Sequence, residues 1–115
     1  MSYTIRRISW VKSALKAFRT FPGPVQDQMI AALRLAAHGE KADIAKPMKG
    51  LGSGIHEIAL VHRGNAYRAV YAVHLGEDVW VAHAFQKKSK SGIKTPKQDI
   101  DLLQERIKRL KEQLR

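Results

Sequence analysis

The residues of this chain best suited to chemistry are Phe85-Gln86-Lys87-Lys88-Ser89-Lys90, which follow directly on the apolar run Val79-Trp80-Val81-Ala82-His83-Ala84. Tyr67-Arg68 lies upstream, in another segment with strand character. A strand that ends in clustered lysines, beside a strand that carries an arginine, builds a cationic pocket on a rigid sheet. Such a pocket can hold a phosphodiester. RNA can be cut there without a metal if its own 2′-hydroxyl is activated. One group must take the 2′-proton, another must stabilise the charge on the five-coordinate phosphorus, and a third must protonate the leaving 5′-oxygen. Arginine suits the second task because its fork grips two phosphate oxygens. Lysine can serve any of the three when burial or neighbouring cations lower its pKa.

The candidate catalytic set is therefore Arg68, Lys87 and Lys88, with Lys46, Lys49, Lys90 and Lys94 as RNA-binding cations nearby. Taken alone, a lysine run is more often a solvated loop. Strand alternation puts Arg68, Val70, Ala72 and His74 on one face and Tyr67, Ala69, Tyr71 and Val73 on the other. If Arg68 faces the pocket, the tyrosines pack against helices, and Tyr71 is the weaker choice for an acid. His83, near the end of the third long strand, stays open as a general acid or base.

Other chemistries find less support. The chain has no cysteine, which excludes thiolate chemistry and disulfides and fits a reducing compartment. The histidines at 38, 56, 62, 74 and 83 show no metal-ligand spacing, so neither a metal nor a cofactor is expected. Glu57 falls within a strand, Glu77 and Asp78 in a turn, and Asp99, Asp101 and Glu105 in the last helix; all read as structural. Lys49-Gly50-Leu51-Gly52-Ser53-Gly54 lacks the spacing and the following helix of a Walker loop.

These residues need a scaffold, and the periodicity supplies one. A short strand is expected over Tyr3–Ser9, then a helix capped by Ser9 with Trp10, Val11, Ala14, Leu15 and Phe18 on its apolar side. Phe21-Pro22-Gly23-Pro24 breaks it, and a second helix runs from Pro24 to His38, stopped by Gly39. Residues 40–54 read as a loop. Strands follow over Ile55–His62, Ala66–Leu75 and Val79–Phe85, separated by the turns Arg63-Gly64-Asn65 and Gly76-Glu77-Asp78, so an antiparallel meander is expected. Residues 86–95 read as a lysine-rich loop. Thr95-Pro96 then caps a C-terminal amphipathic helix carrying Ile100, Leu103, Ile107, Leu110 and Leu114. The expected fold is α+β: a helical hairpin and a C-terminal helix packed on one face of a small, mainly antiparallel sheet.

The length of 115 residues predicts a single domain spanning 1–115, and 44% hydrophobic residues argue against disorder. No signal-like or membrane-spanning stretch is evident, so a soluble cytoplasmic protein with no membrane partner is expected. Twenty-one Lys and Arg against ten Asp and Glu give a net charge of +11, which favours a polyanion or an acidic protein as partner. Aromatic residues, at 7%, are not interleaved with the basic ones, so a stacking platform for single strands is not indicated. The exposed side of the last helix is expected to carry Lys97, Arg106, Lys108, Arg109, Lys111 and Arg115, a basic face that either meets a polyanion or is simply solvated.

Four segments carry a family resemblance: Lys46-Pro47-Met48-Lys49-Gly50-Leu51-Gly52, Gly54-Ile55-His56-Glu57-Ile58, Tyr67-Arg68-Ala69-Val70-Tyr71 and Ala84-Phe85-Gln86-Lys87-Lys88-Ser89, closed by Lys94-Thr95-Pro96 and the last helix. In order and spacing the chain resembles the RelE/ParE superfamily of bacterial toxins, in particular the HigB-type toxins and their phage-derived relatives. The resemblance implies a type II toxin–antitoxin module, a cognate antitoxin that covers the basic groove, and cleavage of mRNA in the ribosomal A site. It places the family's strand arginine on Arg68, its later basic residues on Lys87 and Lys88, and its loop lysines near Lys46 and Lys49. Some relatives have a tyrosine after the basic segment. This chain has no Tyr or His beyond residue 83, leaving proton transfer to a lysine, to His83 or to the ribosome. Two other readings share the fold: a ParE-like gyrase inhibitor and a non-catalytic nucleic-acid-binding regulator.

Overall fold

The computed structural model describes residues 5–87 and 95–114. Its elements run β1 (Ile8–Trp10), α1 (Lys12–Phe18), α2 (Gly23–Ala37), β2 (Ala45–Pro47), β3 (Ile55–His62), β4 (Asn65–Ala72), β5 (Val79–Lys87) and α3 (Lys97–Gln113). The strands form one sheet in the order β1-β5-β4-β3-β2, with β1 parallel to β5 and the other pairs antiparallel.

β3 to β5 are the expected meander. A two-residue turn joins β3 to β4, and Arg63 and Gly64 both adopt positive φ, 51° and 80°. That conformation matches the twist of a tight hairpin, and Gly64 adopts it without a Cβ penalty. The turn sets the register, with Glu57 opposite Val70 and Ala59 opposite Arg68.

The helices do not share one face of the sheet. The apolar stripes of α1 and α2, including Ala14, Phe18, Val25, Met29 and Leu33, pack with Ile58, Tyr67, Ala69 and Tyr71. Leu103, Ile107 and Leu110 of α3 pack with Ile55, Val70 and Ala72 on the opposite side. Successive β4 residues alternate between these two cores, and the central strand is buried on both faces. The expectation of helices on a single face is corrected accordingly: a strand apolar on both sides needs a layer on each.

Three local expectations also change. Ser9 lies in β1 and donates its hydroxyl to Asp78 Oδ2, while α1 begins after Val11 with no side-chain cap. Pairing with β5 draws Ser9 and Trp10 into the sheet. The loop expected at residues 40–54 contains β2, which pairs with His56–Ile58 of β3. Pro96 occupies the cap position of α3, and the Thr95 hydroxyl turns away from the helix toward Glu57. Among the described residues no helix is long and apolar enough to cross a membrane.

Candidate active site

A break in β5 decides what the basic face contains. Tyr71 pairs with Val81, yet its neighbour Val70 pairs with His83, so Ala82 is an extra residue on β5. Such a bulge shifts the alternation of side chains by one. Val79 and Val81 enter the α1–α2 core, whereas Ala82 belongs to the α3 core. Without the bulge, His83, Phe85 and Lys87 would follow Val81 to the α1–α2 side. With it, they stand opposite Val70, Arg68 and Ala66 on the α3 side.

That side sets polar side chains among apolar ones beneath the start of α3. Lys46, Glu57, Val70 and His83 lie in one row across β2, β3, β4 and β5; Ala59, Arg68 and Phe85 form the next. Arg68 is buried, and its Nη1 donates to Glu57 Oε1 at 2.7 Å. The other carboxylate oxygen of Glu57 accepts from the Thr95 hydroxyl. The centre of the expected cationic pocket thus holds a carboxylate, clamped by donors from β4 and from the approach to α3.

His83 is clamped as well. Its Nε2 lies 2.7 Å from Asp99 Oδ1, and Arg106 Nη1 donates to its Nδ1 at 3.0 Å and to the Ala82 carbonyl at 2.9 Å. A guanidinium only donates, so Nδ1 must carry the lone pair and Nε2 the hydrogen. His83 is therefore neutral in this arrangement. Burial lowers its pKa below the ordinary 6.5, Asp99 opposes that shift by hydrogen bond and charge, and the Arg106 charge adds to it. With both ring nitrogens occupied and the ring stacked on Phe85 at 4.8 Å, His83 serves as an anchor for α3.

The expected site residues divide as follows. Arg68, Lys87 and Lys46 share the α3 side of the sheet, Lys87 half-buried at the end of β5 and Lys46 exposed on β2. Lys49 is exposed in the loop between β2 and β3, and no hydrogen bond or ion pair ties it to the others among the described residues. Lys88, Lys90 and Lys94 lie outside the described residues. Tyr71 is buried in the α1–α2 core, where burial raises its pKa above 10.0, consistent with its low standing as an acid. Arg106 is not on the exposed face of α3 but turns inward to His83. Lys97, Lys108, Arg109 and Lys111 are exposed.

Glu57, Asp99 and Arg106 were missed as members of this surface. For Glu57 a signal existed: a two-residue turn at Arg63-Gly64 places it diagonally from Arg68 on the same face. For Asp99 and Arg106 no local signal existed, because their partner arrives from β5. Among the described residues no group of three or more His, Cys, Asp or Glu is placed to hold a metal ion.

This architecture is an α+β RelE-like fold, three helices on a five-stranded, mostly antiparallel sheet. It aligns with the free-state structure of an E. coli RelE toxin in which two arginines are replaced by alanine, with a TM-score of 0.60 and 23% identity over 91% of this chain and 97% of that one. It also aligns with the isolated E. coli RelE toxin, with a TM-score of 0.57 and 19% identity over 87% of this chain and 97% of that one. Residues 16–108 match the family described as phage derived protein Gp49-like (DUF891), and the chain belongs to that family. No curated protein sequence matches it significantly. The expectations of a phage-derived family and of a RelE-like fold are borne out.

Proposed function

We propose that this chain is the toxin of a type II toxin–antitoxin module and a metal-independent endoribonuclease that cuts mRNA on the ribosome. The observation that carries the reading is the bulge at Ala82, which gathers Lys87 onto the face that holds Arg68 and Lys46. Arg68 would hold the non-bridging oxygens of the scissile phosphate. Lys87, with Lys88 beyond it, would stabilise the five-coordinate phosphorus or protonate the leaving 5′-oxygen. Attack by the 2′-oxygen forms a bond to phosphorus as the bond to O5′ breaks, leaving a 2′,3′-cyclic phosphate and a 5′-hydroxyl. His83 is set aside as the base while Asp99 and Arg106 occupy both its nitrogens. The base is then a lysine or a ribosomal group.

Lys46, Lys49, Lys90 and Lys94 would track the RNA backbone, and the exposed α3 cations would rest on ribosomal RNA. The cognate antitoxin would cover the basic groove, its association speeded by charge complementarity to a +11 chain. The test is tightly induced expression with mapping of mRNA 5′ ends, beside an Arg68→Ala/Lys87→Ala/Lys88→Ala variant of verified folding. Cuts inside translated frames that vanish in the variant support the nuclease. Growth arrest with intact mRNA overturns it and favours gyrase inhibition, and absence of arrest favours a non-catalytic regulator.

A further inference from the structure

We propose that the Glu57 carboxylate occupies the seat of the substrate phosphate on Arg68, so that a phosphodiester enters only by displacing it. The inference rests on the reading of Arg68 as the phosphate-holding side chain. Glu57 is a positioning residue here: it acts through Arg68 and takes no part in bond making.

Three observations lead to it. Among the described residues, the groups that hold Glu57 are donors, Arg68 Nη1 on one oxygen and the Thr95 hydroxyl on the other. A carboxylate and a phosphodiester present the same feature to such donors, a pair of anionic oxygens on one centre, and a guanidinium takes either. The pair is also largely withdrawn from water, with side-chain exposures of 10% for Arg68 and 13% for Glu57. A phosphate cannot add to the Arg68–Glu57 contact without bringing two anions together at low dielectric, so it must replace the carboxylate. Finally, Lys46 stands directly across from Glu57 in the β2–β3 register, on the same face. It supplies positive charge on the exposed side, where an arriving phosphate would first be felt.

Displacement also has a consequence for α3. Thr95 adjoins the first turn of that helix, and its hydroxyl is bonded to the carboxylate that must leave. When Glu57 moves out, the hydroxyl is released to donate to the incoming phosphate. The seat is then complete without a new side chain: the same two donors hold the replacement. The resting chain, in this arrangement, keeps the charge of its phosphate-binding arginine paired and screened until a polyanion of sufficient local charge competes.

The experiment measures binding, not cleavage. The probe is a single-stranded oligonucleotide with 2′-deoxyribose throughout, which offers phosphodiesters but no nucleophile, with inorganic phosphate as a second probe. Glu57→Gln keeps the shape and the acceptor for Arg68 while removing the charge, and is expected to tighten binding by roughly fivefold. In an Arg68→Ala background the same change is expected to give no gain. Asp101→Asn, which removes an exposed acid from α3, is the control for net charge and is expected to tighten binding by much less. Unchanged or weaker binding by Glu57→Gln overturns the proposal. So does a gain that persists without Arg68 or is matched by Asp101→Asn.

Should Glu57→Gln fail to fold, the wild-type chain decides. Titration with inorganic phosphate, followed by NMR, should shift the Arg68 side-chain Nε–H and the Glu57 carboxyl carbon together and saturably. Absence of a joint shift overturns the proposal. None of these readouts depends on nuclease activity, so a chain that cuts no RNA yet shows the Arg68-dependent gain retains the seat and loses the nuclease.

Discussion

Arg106 Nη1 lies 3.0 Å from His83 Nδ1, and this contact makes the buried histidine a neutral anchor between β5 and α3. On its other side the ring donates to Asp99, so one imidazole joins an acid and a base that sit two turns apart on the same helix. The folded state favours the neutral ring. Its pKa lies below the ordinary 6.5, lowered by burial first, with Asp99 acting against that shift and Arg106 with it.

The pH dependence follows from that sign. Between the folded pKa and 6.5 the unfolded chain binds more protons at His83 than the folded chain. Stability is therefore complete above 6.5 and falls as pH drops from there through the folded pKa. His56 adds in the same direction, its pKa lowered by burial, with the Lys41 and His74 charges contributing and a Gly54 backbone bond opposing. Thermal midpoints measured between about pH 8 and pH 5 should decline through this range. A His83→Gln variant should show a flatter decline. An equal slope in wild type and variant would remove His83 as the source.

The Glu57–Arg68 pair separates stability from function. Arg68→Ala alone leaves a buried carboxylate without its main partner and should cost about 3–5 kcal/mol. Replacing both, Glu57→Leu with Arg68→Met, removes the buried charges together and should cost much less. Chemical denaturation of both variants checks this. If the double variant is well folded but leaves mRNA intact, the loss of cleavage cannot be ascribed to unfolding.

Gly54 has a φ of +74°, and a Cβ placed there would lie 2.6 Å from the His74 ring. Gly54→Ala therefore meets both an unfavourable backbone region and a side-chain clash, and a loss of about 1–3 kcal/mol is expected. Gly64→Ala meets open space and is strained only by its φ of +80°, so it should cost less. Equal losses at the two positions would show that the His74 contact is without weight.

Lys46 and Lys49 make a graded prediction. If each contacts one RNA phosphate, replacing either by alanine should weaken binding to single-stranded RNA. Each change should also reduce the slope of log K against log salt by about 0.7. Neither change should move the thermal midpoint appreciably, since both side chains are exposed. A variant that weakens binding without altering the salt slope would mark an effect other than a lost phosphate contact.

Much of the scaffold was legible because it follows local rules. The 3.6-residue stripe of Val25, Met29, Ala32, Leu33 and Ala36 predicts a buried helix face, and all five are buried in α2. The β3–β4 hairpin follows from strand alternation and the Arg63-Gly64 turn, and with it the placement of Arg68 opposite the side taken by Tyr67 and Tyr71. β2 was not legible, because a three-residue strand has almost no periodicity and owes its existence to the edge of β3.

The sequence by itself determined the long helices and strands, the charge of +11 and the candidate cations, since propensity, periodicity and composition act along the chain. Tertiary structure decided which of those cations meet. One extra residue at Ala82 reverses the side-chain alternation of β5 and brings His83, Phe85 and Lys87 to the face of Arg68. The docking of α3 against that face turns Arg106 inward and sets Thr95 on Glu57. Both are choices between energetically close local alternatives, a strand with or without a bulge and a helix on either face of the sheet. They are settled only by the packing of residues distant in sequence.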